Sequence, residues 1–237
     1  MKRFLTPNWL TGICAVAGLV CMALRYWLLT TGMDDRGLID RTHPGNCLSW
    51  LVMVLVGVLL LISLPGQTRI RLVPSVKTAL GGALSVLGCL VACYSLFHLD
   101  EHHPLNLPAA IAAVAASVCR VWILINTCRR KRVPTLAYVP VTAFFLMFLV
   151  CRYQYWNSEP EPQLCVFHIL ALMSMAATVY FRGMMMLDRK KGKLYAQTSR
   201  WAIFTALAAV PGCMDAVPLI LWAGALALDG CTLRKRQ

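Results

Sequence analysis

Acidic residues are scarce in this chain. Ten Asp and Glu stand against 23 Lys and Arg, and only 14% of the 237 residues are charged. A soluble domain carries about 25% charged and roughly 45–50% apolar residues, whereas 59% are hydrophobic here. So little polar surface cannot cover a water-soluble core, which excludes a cytosolic globular enzyme. The same balance excludes a disordered chain. No Cys-x-x-Cys occurs among the eleven cysteines, so thioredoxin-like and zinc-ribbon chemistry have no support. No Gly-x-Gly-x-x-Gly, Walker-type loop or His-Glu-x-x-His is present, and no connection between apolar runs is long enough for a catalytic or nucleotide-binding domain.

Long apolar runs are what the chain does have. A span needs about 20 apolar residues to cross about 30 Å of hydrocarbon. Six runs qualify: Trp9 to Thr30, Cys47 to Leu64, Thr78 to Phe97, Leu107 to Thr127, Pro134 to Cys151 and Leu164 to Met186. They are too long, and too poor in alternation, for barrel strands. The first follows Met1-Lys2-Arg3 but lacks a small-x-small cleavage site, so it reads as an uncleaved helix. The expected fold is an all-α polytopic transmembrane helix bundle, with residues 1–237 forming a single integral membrane domain.

The last apolar region, Tyr195 to Leu228, is too long for one span and is interrupted by Pro211-Gly212, Asp215 and Pro218. It reads as a helical hairpin, or else as one broken or re-entrant helix. Charge favours the hairpin, because cytoplasmic flanks collect Lys and Arg. With the N-terminus inside and eight crossings, the inner segments and tail hold 17 Lys and Arg, against 3 in the outer loops: Arg36, Arg41 and Arg152. Both termini are then expected on the cytoplasmic face of a bacterial membrane. The net charge of +13 becomes a lining toward anionic lipid headgroups, through Arg129, Arg130, Lys131, Arg132, Arg189, Lys190, Lys191 and Lys193. It does not indicate nucleic acid.

Small residues at four-residue steps, Gly81, Ser85, Cys89 and Cys93, mark one face of the third helix. The Ala-rich fourth helix is its expected neighbour. Aromatic residues should form interfacial belts: Tyr26, Trp27, Trp50, Tyr94, Tyr153, Tyr155 and Trp156 outside, and Tyr138, Tyr180, Tyr195 and Trp201 inside.

Several polar residues are candidates for chemistry. Arg120 is the deepest charge, seven residues before Thr127, or roughly 10 Å at 1.5 Å per residue. It either snorkels toward headgroups or lines a polar cavity. Asp215 is turn chemistry in the hairpin and an ion site in a broken helix. His168 is the lone histidine within a span. Arg25 and Arg182 lie near helix ends, where they can snorkel. Seven of the ten acids and His43, His98, His102 and His103 gather on the outer side. His98 and His102 are four apart, a metal-ligand spacing on a helix, so His98, His102 and His103 form a candidate outward metal site. The ordinary alternative is a solvated loop. Cys47 and Cys165, both near the outer boundary, are candidates for an external disulfide. No cofactor is expected.

The stretch Tyr26-Trp27, Met33-Asp34-Asp35-Arg36-Gly37-Leu38-Ile39 and His43-Pro44, followed by a Trp50-containing apolar helix, resembles a pattern in small uncharacterised multi-pass membrane proteins of clostridial gut bacteria. The resemblance covers the first quarter of the chain, and the order His43-Pro44-Gly45 departs from it. It implies a bacterial multi-pass protein and no particular activity. The functional expectation is a non-enzymatic accessory, sensory or structural membrane component. The alternative is a small-solute or ion permease with a polar site near Arg120 or Asp215. A permease should show a polar mid-membrane cavity, and a dry packed interior counts against one.

Overall fold

The structure is a computed structural model and describes residues 7–34, 38–40, 42–63, 70–72, 75–98, 104–129, 131, 133–156, 163–188, 191–213 and 215–235. Eight helices follow one another: α1 (Pro7–Thr31), α2 (Pro44–Ser63), α3 (Val76–Phe97), α4 (Asn106–Cys128), α5 (Val139–Trp156, entered through a 3₁₀ turn at Thr135–Tyr138), α6 (Gln163–Leu187), α7 (Gly192–Ala209) and α8 (Ala216–Gly230). Six of them, α1 to α6, are long and apolar enough to cross a membrane. The chain is a multi-pass membrane protein.

The last apolar region is two helices, as the hairpin reading expects. Pro211-Gly212 forms the turn, and Gly212 has a φ of +74°, a conformation that costs glycine little and other residues more. α7 runs antiparallel to α6: Ser174 meets Thr205 at 3.0 Å, while further along Arg182 and Tyr195 converge on one carboxylate. α8 runs antiparallel to α3 in a seven-residue register. Ser95 bonds Asp215, Gly88 lies against Trp222, and Gly81 lies against Ala225 and Asp229. A 3.5-residue repeat on both helices is the signature of knobs-into-holes packing.

These contacts close a ring. α3, α4, α5, α6, α7 and α8 each pack on the next, and α8 returns to α3. α1 packs outside the ring on α7, and α2 outside α1. This placement explains the composition of α7. It is flanked by protein instead of lipid, so nearly all of it is buried, and it tolerates Gln197, Ser199, Arg200 and Thr205. Gln197 Nε2 donates to the Leu60 carbonyl at 3.0 Å and to Ser63 Oγ at 2.8 Å, which ties the end of α2 to α7. The small-residue face of α3 serves two neighbours rather than α4 alone: Gly81 faces α8, whereas Cys93 Sγ reaches the Ala110 carbonyl of α4 at 3.8 Å.

One element escaped the all-α expectation. Ile70–Leu72, between α2 and α3, pairs antiparallel with Leu233–Lys235 after α8, with Arg71 opposite Arg234. The pairing places the C-terminal segment at the same end of the bundle as the α2–α3 connection and the start of α1, where Thr11 abuts Gly230. This end is called the basic end below. The chain therefore leaves α8 at the end where α1 began, which excludes a single crossing by the last region.

Candidate functional site

Burying a charge within a bilayer is costly, so ionisable residues inside membrane helices are paired or functional. Among the described residues five arginines are buried, Arg25, Arg120, Arg152, Arg182 and Arg200, together with two acids, Asp215 and Asp229. The acids occupy the two ends of α8. That helix has 15 residues, or about 22 Å at 1.5 Å per residue, less than the roughly 30 Å of a hydrocarbon core. A helix this short cannot by itself cover the hydrocarbon thickness, and each of its ends meets an arginine from another helix.

At the far end, Arg152 of α5 grips Asp215. Its Nε lies 2.5 Å from Oδ2, and Nη2 donates to Oδ1 at 2.5 Å. Ser95 of α3 donates to the same Oδ1 at 2.8 Å and accepts from Arg152 Nη2 at 2.9 Å. The Arg152 guanidinium also lies 5.2 Å from the Phe148 ring. This corrects the sequence expectation twice. Arg152 is not an outer-loop charge but is 2% exposed, because α5 continues past Cys151 to Trp156. Asp215 is neither a plain turn residue nor an open ion site: it is the buried partner of Arg152.

At the basic end all six ring segments contribute. Arg182 of α6 donates through Nη1 to Asp229 Oδ2 of α8, and the Tyr195 hydroxyl of α7 donates to the same oxygen at 3.4 Å. Arg120 of α4 donates through Nε to Ser85 Oγ of α3 at 2.9 Å, and its Nη2 reaches the same hydroxyl. Its guanidinium lies 5.1 Å from the Trp222 ring. Tyr138, from the turn before α5, is electrostatically close to both arginines. Arg120 thus faces the bundle instead of snorkelling, and Arg182 turns inward as well. Tyr138 and Tyr195, read as belt residues, are buried members of this cluster, at 2% and 0% exposure. Asp229 lies one residue beyond the apolar run Tyr195 to Leu228, where nothing in the sequence marks it as buried.

An apolar layer separates the two clusters. Phe144, Phe145 and Phe148 of α5 meet Trp222 of α8, with Phe145 and Trp222 edge-to-face at 4.8 Å. With Gly88, Ala92, Leu172, Met175 and Leu219 they enclose about 10 Å³ of room for a water-sized particle, the space of about one water.

His98 ends α3, stacks on Tyr94 at 3.8 Å and lies 3.1 Å from its carbonyl through Nδ1. His102 and His103 lie outside the described residues, among which no group of three metal-ligating side chains occurs. His168 is buried in α6. Arg25 does not snorkel: it is buried, with Phe167 at 4.2 Å. Cys47 and Cys165 are free thiols, one exposed and one buried, so the external disulfide is not formed. Of the expected headgroup contacts, Arg129 and Lys131 are exposed and Lys191 and Lys193 half-buried, all at the basic end. Arg130, Arg132, Arg189 and Lys190 lie outside the described residues. Arg200, counted with them in the charge balance, is instead buried in α7.

The fold and its buried charges define a multi-pass membrane protein built on a closed six-helix ring. No family model, curated protein or solved structure matches the chain.

Proposed function

We propose that this chain is a non-enzymatic component of the bacterial cytoplasmic membrane, with its basic end in the cytoplasm and no continuous path for solute. One observation carries the reading. The centre of the ring is filled by Phe144, Phe145, Phe148, Trp222 and Met175, which leave room for about one water between the two ionic clusters. An accessory, sensory or structural role suits a rigid closed bundle of this kind, and the basic end suits contact with anionic headgroups. The resemblance of the first quarter to small clostridial membrane proteins supports the bacterial setting. Purified protein reconstituted into vesicles tests the reading: flux of chloride, potassium and protons should equal that of empty vesicles. Flux above that level would overturn it.

A permease caught closed is the second reading. What favours it is the placement of one ion pair at each end of the ring, Arg152–Asp215 and Arg182–Asp229, where two gates would stand. Under this reading Asp215→Asn should raise flux; under the first it destabilises the bundle without opening it.

A further inference from the structure

The basic-end cluster is out of electrostatic balance. Arg120 and Arg182 bring two positive charges and Asp229 one negative charge. Arginine does not shed its proton in a protein, so a full positive charge remains buried in the bundle. Asp229 is engaged by Arg182. The polar partner of Arg120 is the neutral hydroxyl of Ser85, whose own proton goes to the Gly82 carbonyl at 2.7 Å. The Trp222 ring beneath Arg120 is neutral too.

Two further observations point to a ligand. Both guanidiniums line one small cleft, closed by Thr78, Gly82, Ile123, Leu124 and Thr127, with about 10 Å³ of room for a water-sized particle. Thr78 and Thr127 lie near the ends of α3 and α4, so the cleft opens toward the basic face. In addition, buried polar atoms around the cluster go unused. Arg182 Nε and the Tyr138 hydroxyl have no hydrogen-bond partner, nor has the acceptor Asp229 Oδ1, although these residues are only 6%, 2% and 1% exposed. Buried donors are ordinarily satisfied, and an unsatisfied one calls for an explanation.

We propose that this cleft binds one monatomic anion of chloride's size, held by Arg120 and Arg182. Such an ion cancels the excess charge and accepts from donors that lack partners. Room for about one water-sized particle favours a monatomic anion over phosphate, whether free or on a lipid headgroup. Asp229, bound through Oδ2 to Arg182, limits the site to a single negative charge. Binding of this kind requires no transport and does not depend on the proposed function.

The test is thermal unfolding of the purified full chain in detergent at fixed ionic strength, with chloride exchanged for gluconate. A ligand that binds only the folded state raises the midpoint with its concentration. Chloride and bromide should raise it, while gluconate and inorganic phosphate should not. Arg120→Gln should abolish the chloride-dependent part. Arg152→Gln, at the far end, should lower the midpoint and keep the chloride dependence. Thr127→Leu, which fills the mouth of the cleft without removing a charge, should also abolish the dependence and serves if Arg120→Gln does not fold. Equal midpoints in chloride and gluconate, a response to phosphate as large as that to chloride, or an unchanged response in both cleft variants would each overturn the proposal.

Discussion

Arg152 and Asp215, 63 residues apart in the chain, meet at 2.5 Å with side chains 2% and 6% exposed. Removing one member of a buried pair leaves the other charged and unsolvated, at a cost of about 3–5 kcal/mol. Asp215→Asn should therefore lower stability by that order. Arg152→Met combined with Asp215→Leu should cost much less than the two single changes together. Denaturant titration of the four proteins in detergent measures the coupling. Simple additivity would mean that the two side chains do not act as a pair.

Gly88 is where α3 comes closest to Trp222. A Cβ there would stand 2.7 Å from Trp222 Cδ1 and 2.9 Å from its Nε1. The indole is held against Phe145 on its other side, so it has no room to yield. Gly88→Ala should destabilise by about 1–3 kcal/mol, the usual cost of overpacking. Gly224→Ala, whose added methyl would make only ordinary contact with Leu84 at 3.6 Å, should be nearly neutral in the same thermal scan.

Native thiols report the topology. Cys47 at the start of α2 is exposed at the far end, whereas Cys128 and Cys231 are exposed at the basic end. An impermeant maleimide added to intact cells should label Cys47 alone, and labelling of Cys128 and Cys231 should appear only after lysis. Peptide mapping by mass spectrometry distinguishes the sites. The reverse pattern would invert the proposed orientation.

Asp40 governs the connection between α1 and α2. The Thr42 hydroxyl and amide both donate to its carboxylate, at 2.7 and 2.9 Å. These bonds hold its pKa below the ordinary 3.8, with His43 adding a smaller pull. A depressed carboxylate pKa contributes stability that is present above 3.8 and disappears as pH falls through the folded value. The Asp40 carboxyl should thus titrate below 3.8 by carbon-detected NMR, and Thr42→Val should move it back up.

Element by element, the sequence was most informative where length alone decides. Six apolar runs became six helices within a few residues, and Pro211-Gly212 marked the last turn. The site was harder to see. Arg152 follows an apolar run that stops at Cys151, so its position suggested a loop. Only the further turn of helix, and Asp215 arriving from a distant part of the chain, brings it inside. Tyr138 and Tyr195 have the composition of a belt, and their burial depends on which helices surround them. Arg120 did stand out, because an arginine seven residues inside a span has no cheap place to go. The short β-pairing left no pattern, since three-residue strands are too brief to alternate.

The ring is closed by helices from its two extremes in sequence, α3 and α8. Its counter-charges follow the same order: Arg152 and Arg182 enter the membrane before Asp215 and Asp229 do. During synthesis, the first seven helices therefore carry arginines whose acids have not yet been made. An intermediate halted at that point holds two cationic side chains without their buried counter-charges, a costly state inside a bilayer. Insertion of α8 supplies both counter-charges in one step.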